Sequence, residues 1–411
     1  MARRQIGTPR FYCDIPSYLK SIGSYYGVSS SGFQYNPVDN KEKPFNMNPY
    51  QINELQLGES LTWAKLRFWI NQEPVDSDDA LHIPQYELGK LLAYHNTVGT
   101  EGEHHSSGCY AGVLGHNLVS AGASAVYQRF WGMHDDGTHK FGNQSSFREI
   151  VNFEDAWVHD NVESAGKPKY DGFSLWEITG RPTDNLESRY SVAEFGLEKN
   201  DGTNLIDWGQ ENFLKIGAYT TGIFIEPPHS PDLSVDLTLE QGGIKVYETV
   251  GGNSLVNINH QGVPNWGDQP AWTLQKTDGR DYTTVASRSR RNWKLSFSYI
   301  SDDNLFDAAQ NSNSFYNDTF TDGGEDSYGV ANFDTSMSTF FKLTKNGNLP
   351  FIFCPDSKAT RTETNLVDGV EVEVEVPNPE FAICMLDQDS ISFKQIAYQT
   401  WNVSMNVREV W

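Results

Sequence analysis

The sequence predicts a mainly β protein built of β-sandwich domains, the C-terminal one carrying a single flanking helix. Three observations predict it. Two long stretches alternate apolar and polar residues: Trp293, Leu295, Phe297 and Tyr299 share one face of the first, and Trp401, Val403, Met405 and Val407 one face of the second. A period of two marks a half-buried strand, because successive Cβ atoms point to opposite sides of a sheet. Composition agrees, since 13% of residues are aromatic and 35 are glycine, an enrichment that suits sheets and turns rather than helical bundles. Residues 334–347, opening on Asp334 and closing on Gly347, have the polar start and glycine stop of a short helix.

The remaining elements follow along the chain. Residues 1–50 are rich in Tyr, Ser, Asn and Pro and read as an irregular arm, with a short strand over 11–15 and one helical turn over 16–23. Such an arm gains order by lying against its own chain or a neighbour. Residues 61–70 are strand-like, with Leu61, Trp63, Leu66 and Phe68 inward. Between Leu88 and Tyr127 the chain is rich in Gly, Ser and His, and helix and loop are equally defensible. Strand character resumes over 212–225, and Pro227, Pro228 and Pro231 stiffen a boundary near residue 228. This divides the chain into an arm (1–50), a β-rich domain with long loops (51–228) and a C-terminal sandwich (229–411). Beyond the boundary, 233–239 and 244–247 read as two strands joined by a turn at Gly242 and Gly243. Residues 370–376 alternate Val and Glu throughout, which puts Glu371, Glu373 and Glu375 on one side of a solvated hairpin strand.

Charge narrows the partners. With 54 acidic and 31 basic residues the net charge is −23, a surface that repels phosphate backbones and anionic lipid. Neither nucleic acid nor membrane is expected as a partner. The four cysteines, Cys13, Cys109, Cys354 and Cys384, are widely spaced without a Cys-x-x-Cys, so neither a disulfide framework nor a zinc site is expected. A Cys354–Cys384 bridge is not favoured, because thiols in strand-like runs behave as small hydrophobes. The start of the chain has no secretory pattern and no run is apolar enough to span a membrane, so synthesis in a host cytoplasm is expected, with release by lysis or within a particle.

Motifs for chemistry are sparse. His95, His104, His105, Cys109 and His116 crowd one stretch, and His134 and His139 follow. His104, His105 and Cys109 are weak metal candidates: their spacing can gather soft ligands for zinc or copper, yet it matches no zinc template. The same imidazoles would make an interface pH-sensitive. Residues 135–137 and 317–326 read as acidic turns that lack the ligand spacing of an EF-hand. Asp171, Glu177, Asp207 and Asp268 lie near Trp176, Trp208, Trp266 and Trp272, the materials of glycan chemistry, but no two carboxylates stand out as a catalytic pair. There is no Gly-x-Ser-x-Gly, no phosphate-binding loop and no dinucleotide turn, so no catalytic residue and no cofactor is expected. The expected contact residues between subunits are Arg3 and Arg4 on the arm, Arg290 and Arg291 at the start of a strand, and the acidic strip of Glu371, Glu373 and Glu375.

The strand over 290–300, the helix over 334–347, the proline-led Pro350-Phe-Ile-Phe353 segment and the run from Phe381 through Phe393 to the last strand at Glu409 follow one another in a recognisable order. In this order the chain resembles structural proteins of tailed bacteriophages, of the minor or distal tail type, with a tail-tube-like module over 229–411. Residues 216–222 and 231–233 are similar to segments of virion proteins from marine phages. The resemblance implies a non-enzymatic virion protein whose partners are copies of itself and other virion proteins, placed in a tail, baseplate or neck. Two alternatives stand beside it: a carbohydrate-binding or carbohydrate-cleaving β-sandwich, and a capsid or capsid-decoration protein. A tail protein that also touches a host-surface glycan would combine two of these.

Overall fold

The computed structural model describes residues 7–21, 27–31, 33–35, 42–57, 63–69, 107–121, 125–133, 147–149, 156–158, 162–164, 167–168, 170–178, 189–198, 213–240, 244–258, 264–267, 269–275, 281–282, 289–306, 337–367, 370–377, 380–387 and 391–410. The chain is mainly β, as its alternating pattern predicts.

One antiparallel sheet of 11 strands organises it. In spatial order these are Asp236–Glu240, Arg290–Ser301, Thr400–Glu409, Ala382–Leu386, Phe351–Cys354, Arg10–Asp14, Ala218–Ile225, Ser107–His116, Gly172–Ile178 and Ala156–Val158. The remaining strand, Ser392–Ala397, pairs with residues 400–404 of the Thr400–Glu409 strand. Because Arg290–Ser301 occupies one edge of Thr400–Glu409 along its length, Ser392–Ala397 and Ala382–Leu386 share the other edge.

Alternation sends side chains from this sheet into two cores. Phe11, Cys13, Val113, Tyr219, Leu295, Phe353, Met405 and Val407 enter one; Tyr12, Tyr110, Leu175, Phe224, Ile352 and Ile383 enter the other. The first core is closed by the helices Ile15–Ser21 and Met337–Leu343 and by smaller sheets, through contacts such as Phe340 on Phe11 (4.5 Å between ring centroids) and Phe195 on Tyr219 (5.3 Å). The second is closed by residues 264–267 and 269–275, where Trp272 stacks on Phe381 at 5.9 Å. Met337–Leu343 is the predicted flanking helix, and its buried Met337, Phe340, Phe341 and Leu343 explain why it lies on the sheet.

Several expectations change. Within the expected arm, the short strand Arg10–Asp14 lies inside the chain's own sheet, between Phe351–Cys354 and Ala218–Ile225, with Phe11 and Tyr12 fully buried. It joins residues from both sides of position 228, so the sheet runs straight across the expected boundary. The stretch read as helix or loop contains the strand Ser107–His116. Its periodicity is faint because both of its faces are buried, and its small residues let neighbours close in. A Cβ on Gly112 would stand 2.9 Å from Leu175 Cδ1 and 3.0 Å from Thr220 Cγ2. Residues 236–240 and 244–248 do not pair with one another. The first pairs with Arg290–Ser301, and the second with Ser254–Ile258 around a turn in which Thr249 Oγ1 accepts the Asn253 N–H at 3.1 Å.

The strand Arg290–Ser301 also departs from simple alternation. A bulge between Phe297 and Ile300 turns Tyr299 out to solvent, with φ at 63°, and brings Ile300 into the core instead. The predicted inward faces otherwise hold: Trp293, Leu295, Phe297, Val403, Met405 and Val407 are buried. Cys13, Cys354 and Cys384 are buried thiols that form no disulfide. Among the described residues, no helix is long and apolar enough to cross a membrane.

Candidate interaction surface

At its C-terminal part the sheet ends in the exposed strand Asp236–Glu240, while the exposed strand Ser392–Ala397 stands off the main path, on the side of Thr400–Glu409 where the sheet runs on through Ala382–Leu386. Asp236–Glu240 pairs only with Arg290–Ser301 among the described residues, and Ser392–Ala397 only with Thr400–Glu409. Each therefore has one side with no described strand beside it. Leu237 and Leu239 share the sheet side of buried Trp293 and Leu295, yet they are 36% and 46% exposed, because no described layer reaches this far out. Phe393, opposite Val403, lies on the same side of the sheet and is partly buried against the first core. Asp236, opposite Lys294, and Lys394, opposite Asn402, lie on the other side. At one end of these strands Tyr299 and Tyr398 are 76% and 86% exposed, and their segments are joined through the hydrogen bond from Asp302 N–H to the Gln399 carbonyl (3.0 Å).

The arginines behind this edge are held within the chain. Arg291 is buried: its Nε donates to Glu409 Oε2 at 3.0 Å, its Nη2 to Glu409 Oε1 at 2.9 Å and to the Phe381 carbonyl at 2.9 Å. Its guanidinium lies over the Trp293 ring, 5.1 Å from the centroid. Burial alone would lower the Arg291 pKa, but the hydrogen bond to Glu409 and its charge outweigh burial and hold it above the ordinary value. Arg290 is half-buried, 3.8 Å from Glu240, and Arg408 meets Glu240 at 2.8 Å and Asp387 at 3.4 Å. Glu240 is thus fixed at the end of the edge strand between two guanidinium groups.

The other expected residues fall as follows. Arg3, Arg4, His104 and His105 lie outside the described residues. Cys109 sits in the Ser107–His116 strand, in register with Ile223 on one side and Ile178 on the other. Among the described residues no group of His, Cys, Asp and Glu is arranged to hold a metal. Glu371, Glu373 and Glu375 stand in the hairpin strand Val370–Pro377, opposite Leu366, Thr364 and Thr362.

Three buried polar groups invite a chemical reading, and each is engaged in holding backbone. Asp14 Oδ2 accepts the Ser17 N–H at 2.8 Å, capping the first helix, while its Oδ1 accepts the Thr220 hydroxyl at 2.7 Å, itself 2.7 Å from Tyr110 Oη. Burial raises the Asp14 pKa. Asp171 accepts the Val119 and Ser120 N–H groups at 2.8 and 3.1 Å and also the Ser120 hydroxyl, and burial raises it too. His116 accepts the Leu118 N–H on Nδ1 at 3.3 Å, so its ring proton sits on Nε2, 2.8 Å from Ser174 Oγ. Burial pushes its pKa down to about 3. The sequence names His116 and Asp171 only among possible ligands and acids and passes over Asp14, because partners such as Thr220 for Asp14 and Ser174 for His116 come from distant strands. The exposed leucines of 236–240 were legible as a strand but not as an edge.

The chain matches no family model, no curated protein and no solved structure.

Proposed function

We propose that the chain is a non-enzymatic virion structural protein that assembles through ring or lattice contacts in a phage tail, baseplate or neck. One observation carries this reading: the sheet edge Asp236–Glu240 lies open among the described residues, lined by Leu237 and Leu239 at 36% and 46% exposure. An edge with unpaired main-chain groups and exposed apolar side chains is a template for another strand, and proteins that work alone usually blunt such edges. The net charge of −23 keeps separate copies apart until specific contacts overcome it. The buried carboxylates and His116 are committed to backbone and neighbouring side chains, which fits a structural role.

A second reading, binding of a host-surface glycan, draws on Tyr299 and Tyr398. Two exposed aromatic rings at one end of the sheet are the kind of platform on which a sugar ring stacks. Light scattering of the purified protein at low and high salt, run beside a glycan array, tests both. A defined oligomer without glycan signal supports assembly. A strict monomer that binds an oligosaccharide moves the function to the tyrosine platform.

A further inference from the structure

We infer that the Asp236–Glu240 edge pairs with itself: two copies of the chain join it antiparallel about a two-fold axis standing on Leu237, and their sheets become one. The inference rests on the assembly reading and names its contact.

This strand is the last in the order of the sheet, with Arg290–Ser301 on one side and no described strand on the other. It is anchored at both ends. Just before it the Ser298 hydroxyl donates to Asp232 Oδ2 at 2.8 Å, and at its close Arg408 meets Glu240 at 2.8 Å. Between these anchors Leu237 and Leu239 stand exposed, and Val235, next to the strand, is partly buried against the first core. A two-fold axis normal to the sheet reverses the strand and keeps each face on its own side. It also sets the rest of the second copy beyond the edge, away from every other strand of the first. Residues of one face then meet residues of the same face, so the axis stands on a single residue.

Charge chooses that residue. An axis on Asp236 sets two Asp236 carboxylates opposite each other, and one on Thr238 sets Asp236 opposite Glu240. Like charges directly opposed across a strand pair repel. An axis on Val235 brings Pro231, which has no N–H to give, opposite Leu239, and one on Leu239 keeps only 238–240 of the strand within the pair. With the axis on Leu237 every opposed pair suits. Leu237 meets Leu237, Val235 meets Leu239 at both ends, and Asp236 meets the second copy's Thr238, whose hydroxyl can donate to it. Glu240 lies diagonal to the second copy's Asp236, but Arg408 at 2.8 Å and Arg290 at 3.8 Å already answer its charge. Val235, Leu237 and Leu239 of both copies then form one apolar band that carries the first core across the seam. The edge is complementary to itself, so its occupant is a second copy, in an isologous contact.

Two opposite changes at Thr238 test it on the full-length chain. Thr238→Lys sets a lysine against Asp236 at two places in the seam, and Thr238→Asp sets an acid there. The mass of each variant is followed over a concentration series by sedimentation, beside the unmodified protein. Position 238 is exposed, so folding is checked by matching far-UV circular dichroism and melting. Because each change acts at two symmetric pairs, the dimer dissociation constant should fall about tenfold with the lysine and rise about tenfold with the aspartate. Cross-linking gives a readout independent of net charge. Under mild oxidation Leu237→Cys, which lies opposite its own copy, should form a disulfide-linked dimer. Leu239→Cys lies opposite Val235 and should form far less. If the unmodified protein associates but the Thr238 changes do not shift it in opposite directions, the edge contact is overturned while the assembly reading stands. The same holds if position 239 cross-links as well as position 237. An unmodified protein that stays monomeric at every concentration overturns both.

Discussion

Arg291 and Glu409 face each other across buried, neighbouring strands and are joined by two parallel hydrogen bonds, Nε to Oε2 at 3.0 Å and Nη2 to Oε1 at 2.9 Å. Glu409 Oε2 also accepts the Arg291 backbone N–H at 3.1 Å, so one carboxylate answers three donors of one residue. This pair pins the last strand of the chain to the strand that carries Trp293. The partly exposed Glu380 approaches the same guanidinium from outside, 3.5 Å from Arg291 Nη1.

Removing one member leaves the other buried and uncompensated. Glu409→Ala should cost about 3–5 kcal/mol of unfolding free energy, and Arg291→Ala a similar amount. Replacing both by apolar residues, Arg291→Met with Glu409→Leu, should cost clearly less than the sum of the two single changes. Urea unfolding of the three variants measures it, and additive losses would contradict the pairing.

His116 gives stability a pH signature. Its folded pKa is lowered to about 3 from an ordinary 6.5, so below 6.5 the unfolded chain takes up a proton that the folded chain refuses. Stability from this group is complete above 6.5 and falls as the pH drops toward 3, by as much as about 1.4 kcal/mol per pH unit. Asp14 and Asp171, raised by burial, contribute in the opposite sense, losing stability as pH rises. The difference between the unmodified protein and His116→Asn isolates the histidine. Between about pH 6.5 and pH 4.5 denaturant titrations should show the unmodified protein losing stability more steeply than the variant.

Asp14 separates hydrogen bonding from charge. Asp14→Ala removes the acceptor for the Ser17 N–H and the Thr220 hydroxyl and should lose about 1–2 kcal/mol, the usual cost of deleting a helix cap. Asp14→Asn keeps an acceptor and no longer buries an ionisable group, so at neutral pH it should melt closer to the unmodified protein than the alanine variant does. Calorimetry of both variants checks the order.

Gly222 lies opposite Asp14 where the first strand crosses Ala218–Ile225, and a Cβ there would collide with the Cys13 carbonyl. Because the obstacle is backbone in the middle of the sheet, it cannot swing aside as a side-chain tip could. Gly222→Ala should destabilise the fold by about 1–3 kcal/mol or more. Gly251→Ala is the control: it sits at an exposed turn with nothing within 4 Å of the added methyl. A Gly222→Ala melting point unchanged from the unmodified protein would refute the close approach.

The alternation at 290–300 and 400–407 was enough to identify two strands and most of their buried faces, because a period of two is a local property of the chain. The helix over 337–343 was legible within the expected 334–347, from the polar start at Asp334 and the stop at Gly347, whose φ is 82°. Tyr299 was misplaced because a bulge shifts the pattern by one residue, and nothing local marks the bulge. Arg291 was placed at the surface because a basic cluster before a strand usually is solvated; its partner, Glu409, lies 118 residues further on.

By itself the sequence determined the mainly β class, the alternating strands over 290–300 and 400–407, the short helix that flanks them and the acidic net charge, since each depends on neighbouring residues and composition alone. Only the tertiary structure decided that Arg10–Asp14 is a central strand joining the two halves of the chain, that Arg291 is buried against Glu409, and that Asp236–Glu240 is left at the margin. These outcomes depend on which strand lies beside which. That choice is made by burying two apolar faces at once between segments hundreds of residues apart, such as Phe11 beside Phe353, and no local pattern records it.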